Sequence, residues 1–394
     1  MQPRSRLLLS VFVCLSTAVP VSAETLLVGD CPNGYPTIQT AVNAAQPGDK
    51  ILVCPGIYAE SVLVEISDLR IEAQAAPGEV VVQGTAAQQY GFHLRGTSGV
   101  VVEGFTVQGF AQANIIIEGG SGNTLRKNVT TEGLIDGIEV IKSTGNLVEK
   151  NISFDNKGPR SDGIFARESP DNTFRHNETF GNGFNGINLL QSPGSVLFGN
   201  RAYRNAVRGM QAAGGSHNAV IENNRAFENG LVPIIPPPAG FAIGILVVNS
   251  NGVTVKGNRS EGNGGNGIAL NTATETVVTL NHSEGNLVGI VLNGAAGNLV
   301  DRNQVAGNVE DGIRLQNNAD GNAVQENDVQ GNGRDGIRVV GTAPDNNTIE
   351  RNAIRDSAEH DAHDDSAGPG TGGSANFWID NNCETENRPG LCGH

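Results

Sequence analysis

The sequence is short of aromatic residues, of positive charge and of long apolar segments, and each shortage excludes a class of protein. Aromatic residues fill 5% of the 394 positions, and 41 acidic residues outnumber 26 basic ones, which gives a formal net charge of −15. We expect no nucleic-acid partner, because binding to phosphates requires a basic surface. We expect no membrane span, because no segment of the mature chain reaches the roughly 18 consecutive apolar residues that a spanning helix needs.

Glycine and asparagine are abundant instead, with 53 and 43 residues. The glycines do not follow the three-residue period of collagen, and Ala, Glu, Lys and Leu do not dominate as they do in a coiled coil. A glycine followed by an apolar residue recurs after 22 to 26 residues, with one interval of 35. The repeat glycines are Gly137, Gly163, Gly186, Gly209, Gly244, Gly267, Gly289, Gly312 and Gly336.

Each repeat also holds two asparagines five positions apart. The pairs begin at Asn151, Asn177, Asn200, Asn224, Asn258, Asn281, Asn303 and Asn327. Between these markers the apolar residues tend to alternate with polar ones, which is the period of a β-strand. A unit of about 23 residues has room for three short strands and three turns. The sequence therefore predicts an all-β fold, a right-handed parallel β-helix with three strands in each coil.

The stacking of coils explains the asparagines. An asparagine at the same turn of every coil can donate its amide to the next asparagine along the stack, which satisfies polar groups that the turn buries. We therefore predict two asparagine ladders and assign none of their residues to catalysis.

The first 23 residues have the features of a secretory signal peptide. Arg4 and Arg6 precede a short apolar run, and residues 21–23 form a small-residue cleavage site. The predicted organisation is a signal peptide over residues 1–23 and a single β-helix domain over residues 24–394. We expect the protein to be secreted or periplasmic.

A solenoid must close its open ends. Apolar residues at helical spacing predict a short capping helix within residues 37–45. From Asp356 the sequence becomes polar, acidic and then glycine-rich, and we interpret this last segment as a C-terminal cap. Four cysteines remain in the exported chain, and their proximity in sequence favours the disulfides Cys31–Cys54 and Cys383–Cys392.

Residues 35–58, with the sequence YPTIQTAVNAAQPGDKILVCPGIY, resemble the opening of secreted pectin-lyase-like β-helix proteins. The repeats resemble those of the same superfamily, so the likeness covers nearly the whole mature chain. The superfamily includes pectate lyases, polygalacturonases, pectin esterases, alginate epimerases and NosD-type periplasmic proteins associated with copper. The resemblance therefore implies a fold and leaves the activity open. The G-H-G motif of polygalacturonases is absent, and the nearest match to the D-P-H motif of alginate epimerases, D-A-H-D at residues 361–364, lies in the predicted cap.

Four successive coils carry an aromatic residue three positions after the first ladder asparagine. A small residue precedes each of them, so the two point to opposite faces of a strand. Later coils have Glu261 and Glu284 at the aromatic position, and because Glu is rarely buried, the position is expected to face outward. We predict that a sugar chain binds these four rings, Phe154, Phe180, Tyr203 and Phe227.

Two insertions lengthen the same turn in this region, at residues 157–160 and 231–240. We interpret them as the walls of a groove. The alternative is that the second insertion, rich in Ile and Pro, folds over the aromatic residues and covers them. The residues predicted for the floor of the groove are Asp162, Asn185, Asn188, Arg204, Arg208 and Gln211.

Such a groove suits an acidic sugar chain. Arg204 and Arg208 can bind a uronate carboxylate, and Asp162 can serve as an acid or a base. We therefore assign Asp162, Arg204 and Arg208 to catalysis, and Asn185, Asn188 and Gln211 to substrate binding. An aspartate also precedes several other repeat glycines, so a role for Asp162 in the turn alone stays open.

Three functions remain open at this point. The first is a lyase or epimerase of an acidic polysaccharide, and the second is a non-catalytic solenoid that binds glycans or another surface. The third is a metal-associated periplasmic protein similar to NosD. Residues 360–365, H-D-A-H-D-D, either bind a metal or form a solvated acidic loop, and we assign no metal ligand.

The partner we expect is a polysaccharide, and the protein is expected to be a monomer. No cofactor is required by the sequence. An acidic substrate on this acidic protein requires either bridging Ca²⁺ or a local patch of arginines.

Overall fold

The computed structural model describes residues 23–76, 78–231 and 242–393. Over these residues the chain winds in coils, and successive coils add strands to three parallel sheets, which we name A, B and C. Sheet A has 15 strands, and sheets B and C have 13 strands each. The predicted parallel β-helix with three strands per coil is confirmed. Residues 1–22, which hold nearly all of the predicted signal peptide, lie outside the described residues.

The strands of each sheet are short and follow one another at the spacing of the repeat. Sheet A consists of Thr25–Val28, Lys50–Val53, Arg70–Ala73, Val101–Glu103, Thr124–Arg126, Leu147–Glu149, Thr173–Arg175, Val196–Phe198, Val220–Glu222, Thr254–Lys256, Val277–Thr279, Leu299–Asp301, Ala323–Gln325, Thr348–Glu350 and Phe377–Ile379. Sheet B consists of Gly56–Tyr58, Val80–Gln83, Thr106–Gln108, Val129–Thr131, Ile152–Phe154, Glu178–Phe180, Arg201–Tyr203, Arg225–Phe227, Arg259–Glu261, His282–Glu284, Gln304–Ala306, Asp328–Gln330 and Ala353–Arg355. Sheet C consists of Val62–Val64, Tyr90–Arg95, Ala113–Glu118, Asp136–Ile141, Ile164–Arg167, Asn185–Leu190, Arg208–Ala213, Ile243–Val248, Asn266–Asn271, Val288–Asn293, Ile313–Gln316, Asp335–Val340 and His360–Asp364.

The interior of the coil is apolar because inward and outward residues alternate along each strand. In sheet C, Ile164, Ile187, Met210 and Ile245 occupy one position of four successive coils and are fully buried. Parallel pairing places equivalent residues about 4.8 Å apart. Like side chains therefore stack along the axis and form one continuous core.

Both predicted asparagine ladders are present. At each step the backbone N–H and the side-chain Nδ2 of one asparagine donate to Oδ1 of the asparagine in the next coil. The distances are 2.9 and 3.1 Å from Asn177 to Asn200, and 3.3 and 2.9 Å from Asn182 to Asn205. The Asn177 Nδ2 also donates to the carbonyl oxygen of Val148 at 2.8 Å. The ladders thus satisfy polar groups of buried turns.

The sequence analysis missed a third ladder, which lies at the turn from sheet C to sheet A. It joins Asn123, Asn146 and Asn172, and it resumes from Asn298 through Asn322 and Asn347 to Asn376. Ser, Ala, Val and Thr take the position in the coils between, which interrupts the pattern in the sequence.

The N-terminal cap agrees with the prediction. The helix Ile38–Ala44 covers the first coil and buries Ile38, Ala41 and Val42. Its N-cap residue Thr37 and Thr40 form a capping box, in which each side chain accepts a hydrogen bond from the other's backbone N–H.

The C-terminal end differs from the prediction, because the solenoid continues for one more coil. The strands His360–Asp364 and Phe377–Ile379 extend sheets C and A. The sequence concealed this coil because polar residues take inward positions: Asp364 is fully buried and accepts a hydrogen bond from Trp378 Nε1 at 2.9 Å. A satisfied buried carboxylate replaces the apolar residue that the pattern leads one to expect.

Both predicted disulfides, Cys31–Cys54 and Cys383–Cys392, are present, one at each end of the solenoid. No helix among the described residues has the length and apolar character needed to cross a membrane.

The ladders yield a prediction about stability. Asn205→Ala removes the acceptor of the backbone N–H of Asn182 and one of the two acceptors of its Nδ2, so we expect it to lower the free energy of unfolding by about 2–4 kcal/mol. The matched control Asn382→Ala changes an exposed side chain, and its effect should stay within about 0.5 kcal/mol. Equilibrium unfolding in urea measures both, and equal effects would contradict the structural role of the ladder.

Candidate functional site

Each repeat glycine of sheet C lies at a bend that brings two side chains per coil together on the outer face. The residue before the glycine contacts the residue two positions after the glycine. At Gly336, for example, Arg338 donates a hydrogen bond to Asp335 Oδ2 at 3.1 Å. In a regular strand, residues three apart point to opposite faces. The bend is tightly packed, since a Cβ on Gly186 would lie 2.6 Å from the carbonyl oxygen of Gly209. The residues that precede the repeat glycines form one column on the outer face of sheet C, and the residues two positions after the glycines form a second. We call these two columns the sheet C strip.

Asp162 belongs to this strip, but its surroundings differ from those of Asp335. Phe165 stands at the position that Arg338 takes beside Asp335. The carboxylate of Asp162 is buried, and its partners are neutral: Oδ1 accepts the backbone N–H of Asn185 at 2.9 Å, and Oδ2 accepts Nδ2 of Asn188 at 2.8 Å. Its carboxylate is thus held in place without an adjacent positive charge at this bend.

The environment of Asp162 changes its proton affinity. Burial raises the pKa of its carboxyl to about 7, although the hydrogen bonds from Asn188 and Asn185 and the charge of Arg208 act in the opposite direction. A group with a pKa near 7 can both accept and release a proton at neutral pH.

Amide groups and one guanidinium continue the site from Asp162 into the next coils. Gln211 Nε2 donates to Asn188 Oδ1 at 3.1 Å, so that Gln211, Asn188 and Asp162 form a chain of hydrogen bonds. The guanidinium of Arg208 lies over the ring of Phe184, 5.6 Å from its centroid. Four buried atoms at this place have no hydrogen-bond partner among the described residues: Arg208 Nε, Gln211 Oε1, and both Oδ1 and Nδ2 of Asn185. Buried polar groups are rarely left unpaired, so these atoms are positioned to bind water or a polar ligand.

Two further carboxyls join the site, and the sequence analysis did not assign them. The backbone N–H of Asp162 donates to Asp136 Oδ1 at 2.6 Å. Burial and the nearby Asp162 carboxyl raise the pKa of Asp136 well above its usual value, and burial raises the pKa of Glu139. Both carboxyls belong to the motif D-G-I-E at residues 136–139. The sequence would have indicated their proximity only if the contact between the residues on either side of the repeat glycine had been known.

A cleft of about 420 Å³ opens beside Arg208 and runs along the strip. Its walls include Arg208, Ile243, Asn266, Asn271, Leu287, Val291, Asn293, Glu310, Arg314 and Gln316. The apolar residues Ile243, Leu246, Ala269, Val288 and Val291 pack together on this face of the strip. The cleft therefore combines an apolar surface with amides, the guanidinium of Arg208 at one end and the ion pair of Arg314 with Glu310 at the other. The predicted groove wall or cover at residues 231–240 lies outside the described residues except for Leu231.

The four predicted aromatic residues lie elsewhere, on the outer face of sheet B. Their rings stack on one another with centroids 4.9 Å apart for Phe154 and Phe180, 5.0 Å for Phe180 and Tyr203, and 4.7 Å for Tyr203 and Phe227. Because stacking occupies the inner faces, the rings present mainly their edges to solvent. The structure thus places them apart from Asp162, and this packing does not favour the predicted stacking of a sugar.

Arg204 is also separate from the rest of the predicted groove floor. It follows the sheet B strand Arg201–Tyr203, and its Nε lies 2.7 Å from Glu228 Oε2 in an exposed ion pair. The structure therefore brings together Asp162, Asn185, Asn188, Arg208 and Gln211, and leaves Arg204 outside.

A second cluster lies at the C-terminal end of the strip. Residues 360–365 do not form an acidic loop, since His360–Asp364 is a strand of sheet C. His360 and His363 point to Asp335 of the preceding coil, with their Nδ1 atoms 3.2 and 3.3 Å from its Oδ1. Asp361 and Asp364 are buried and hold the cap instead.

Family models match most of this solenoid. The model described as "right handed beta helix region" matches residues 90–243 and 135–283, and the model of NosD, described as "periplasmic copper-binding protein", matches residues 238–390. The chain is a right-handed parallel β-helix protein. The match confirms the handedness that the sequence analysis predicted, and it is consistent with the predicted resemblance to pectin-lyase-like proteins.

Solved structures show the same fold at low sequence identity. The β-helix protein is similar to the A-module of the mannuronan C-5 epimerase AlgE4 from Azotobacter vinelandii, with a TM-score of 0.59 and 16% identity over 90% of this chain and 95% of the other. An α-1,3-glucanase from Streptomyces thermodiastaticus has a TM-score of 0.55 and 14% identity, over 94% of this chain and 71% of the other. A DFA-IIIase from Arthrobacter chlorophenolicus has a TM-score of 0.52 and 16% identity, over 83% of this chain and 94% of the other. The comparison with curated protein sequences gives no match.

The raised pKa of Asp162 predicts how the stability of the β-helix protein depends on pH. The folded chain holds the Asp162 proton more tightly than the unfolded chain, in which the pKa is about 3.9. This contribution to stability is fully present below pH ~4 and is lost as the pH rises through about 7. We therefore expect Asp162→Asn to gain stability relative to the wild type as the pH rises from about 4 to about 7.

Thermal unfolding of both proteins across this pH range measures the effect. The matched control is Asp171→Asn, an exposed turn residue whose positive φ of 57° asparagine also tolerates. Parallel pH profiles for Asp162→Asn and the wild type would contradict the raised pKa.

Proposed function

We propose that this protein binds an acidic polysaccharide along the sheet C strip and catalyses proton transfer at a uronate residue, as a lyase or an epimerase. The observation that carries the proposal is the pairing of Asp162, whose pKa is about 7, with Arg208, whose buried Nε has no partner among the described residues. Arg208, a group that binds carboxylates, lines one end of the cleft, and Asp162, a proton-transfer group, lies near enough for the charge of Arg208 to act on its pKa.

Each residue has a defined task in this chemistry. Arg208 binds the carboxylate of the uronate and stabilises the negative charge that develops when the adjacent C5 proton is removed. Asp162, when ionised, accepts that proton. Asn188 and the backbone N–H of Asn185 hold the carboxylate of Asp162 in position through their hydrogen bonds. Gln211 Oε1 remains available to accept a hydrogen bond from a sugar hydroxyl.

The fate of the proton separates the two reactions. In a lyase, loss of the C5 proton is followed by departure of the oxygen at C4, which takes up a proton and leaves an unsaturated uronate. In an epimerase, a proton returns to C5 from the opposite face. Asp136 and Glu139, with raised pKa values beside Asp162, are candidates for the group that supplies a proton.

The comparisons are consistent with this proposal. A mannuronan C-5 epimerase shares the fold, although the identity of 16% carries the architecture alone. Two disulfides and the periplasmic description of the matching NosD model favour an extracellular or periplasmic location, where such polysaccharides are found.

Deuterium exchange at C5 tests the proposal for both reactions at once. The mature protein is incubated in D₂O with alginate, pectate or hyaluronan, with and without Ca²⁺, and the products are examined by NMR and by the ultraviolet absorbance of unsaturated uronates. We expect deuterium at C5 for an epimerase and new absorbance for a lyase. Reducing ends without either signal would indicate a hydrolase, and binding with no reaction would indicate a glycan-binding solenoid; both outcomes contradict the proposal.

Variants then locate the reaction. Asp162→Asn should lower kcat by roughly 10²–10⁴-fold, because it removes the proton acceptor. Arg208→Ala should lower kcat/KM by about 10²-fold or more, because the developing charge loses its donor. Arg204→Ala is the matched control, since its ion pair with Glu228 is exposed and belongs to sheet B. Activity that is lost in the Arg204 variant and kept in the Arg208 variant would refute this location.

A further inference from the structure

We propose that Asp335, His360 and His363 form a binding site for one divalent transition-metal ion, Zn²⁺ or Cu²⁺, at the C-terminal end of the sheet C strip. Each of the three side chains offers one ligand atom, and these atoms lie within 4.8 Å of one another. The site is independent of the function proposed above and shares no residue with it.

The spacing of the ligand atoms fits a metal ion. Oδ1 of Asp335 lies 3.2 Å from Nδ1 of His360 and 3.3 Å from Nδ1 of His363. In a tetrahedral site with metal–ligand distances of about 2.0–2.1 Å, neighbouring ligand atoms are about 3.3–3.4 Å apart. Both histidines therefore need only small adjustments to share an ion with the aspartate. His360 is about one-third exposed, which leaves the fourth position open to water.

The surrounding side chains orient the ligands as they do in known metal sites. His363 uses Nδ1 toward Asp335, and its Nε2 lies 2.8 Å from Asp365 Oδ1. A carboxylate on the second ring nitrogen fixes the orientation of a histidine ligand and is a common feature of metal centres. Arg338 binds the other oxygen of Asp335 at 3.1 Å, so that Oδ1 remains directed at the histidines.

The backbone holds the three ligands on rigid elements. Asp335 and the two histidines belong to adjacent strands of sheet C, and Asp335 pairs in register with His360, as does Arg338 with His363. The positions of the side chains are thus fixed by the same stacking that builds the core. A solvated loop would have to order itself around the ion, whereas this site is formed in advance.

The donor set selects the kind of ion. Two imidazoles and one carboxylate suit Zn²⁺ and Cu²⁺, whereas Mg²⁺ and Ca²⁺ prefer oxygen ligands. Cu⁺ would favour sulfur donors, but the four cysteines of the described chain are in disulfides and Met210 is buried in the core. The residues therefore fit the copper named in the description of the matching NosD model only as Cu²⁺.

A second group provides an internal comparison. Glu261, His282 and Glu284 on sheet B also lie within reach of a common ion. Glu261, however, already binds Arg225 and Arg259, and Glu284 is exposed. His282 Nε2 is 2.8 Å from Glu284, a contact that engages the same nitrogen. We therefore use His282→Ala as the matched control for loss of an imidazole elsewhere on the solenoid.

Isothermal titration calorimetry of the chelator-treated mature protein tests the site, with Zn²⁺ and Cu²⁺ in separate titrations and Mg²⁺ as a negative control. We expect one high-affinity ion per chain, tighter for Cu²⁺ than for Zn²⁺, and no binding of Mg²⁺ at this site. His360→Asn and His363→Gln should abolish the binding, and Asp365→Asn should weaken it about 10–100-fold. His282→Ala should bind like the wild type.

Two further measurements keep the result unambiguous. Thermal unfolding without metal shows whether each variant is folded, and binding data are read only for variants that retain the wild-type transition. Electron paramagnetic resonance of the Cu²⁺ form should show coupling to two imidazole nitrogens in the wild type. A wild type that binds neither ion, or a folded His363→Gln variant that binds like the wild type, would overturn the proposal.

Discussion

The rest of this structure depends on the in-register hydrogen bonding of each coil to the next. Parallel pairing keeps equivalent residues about 4.8 Å apart, so any residue type that recurs in the repeat becomes a column along the axis. Inside, the columns are apolar side chains and asparagines that donate to one another from turn to turn. Outside, nothing in the packing requires uniform residues, and the outer columns can change from coil to coil without disturbing the core.

The sheet C strip shows what this freedom allows. The residue before the repeat glycine is an aspartate in several coils, and its chemistry depends on the side chains that stand beside it. His363 and Arg338 lie beside Asp335 and lower the pKa of its carboxyl, whereas Phe165 takes the position of Arg338 beside Asp162, whose burial raises its pKa to about 7. One position in the repeat therefore yields an ion-paired carboxylate in one coil and a proton-transfer group in another.

The sequence could predict whatever recurs. The period, the three strands per coil, two ladders, the capping helix and both disulfides follow from spacing alone. The bend at the repeat glycine could not be predicted from strand alternation, and it brings Glu139 into the site beside Asp136. Alternation also gives only the face of a side chain, so it placed the aromatic residues outside correctly but could not show that their rings stack on one another. The last coil was concealed because buried Asp364 stands where an apolar residue was expected.

The two proposed sites lie on one strip but are far apart. Seven coil-to-coil steps separate Asp162 from Asp335 along the column, which corresponds to roughly 34 Å. A metal ion at Asp335 is therefore too distant to polarise a sugar bound at Arg208, and its presence would not make Asp162 a better base. Between them lie the apolar residues of the cleft and the ion pairs of Arg314 with Glu310 and Asp311, and the cleft can accommodate the length of a bound chain. The strip thus has room for both proposed sites on one scaffold, because the apolar core beneath it continues from coil to coil.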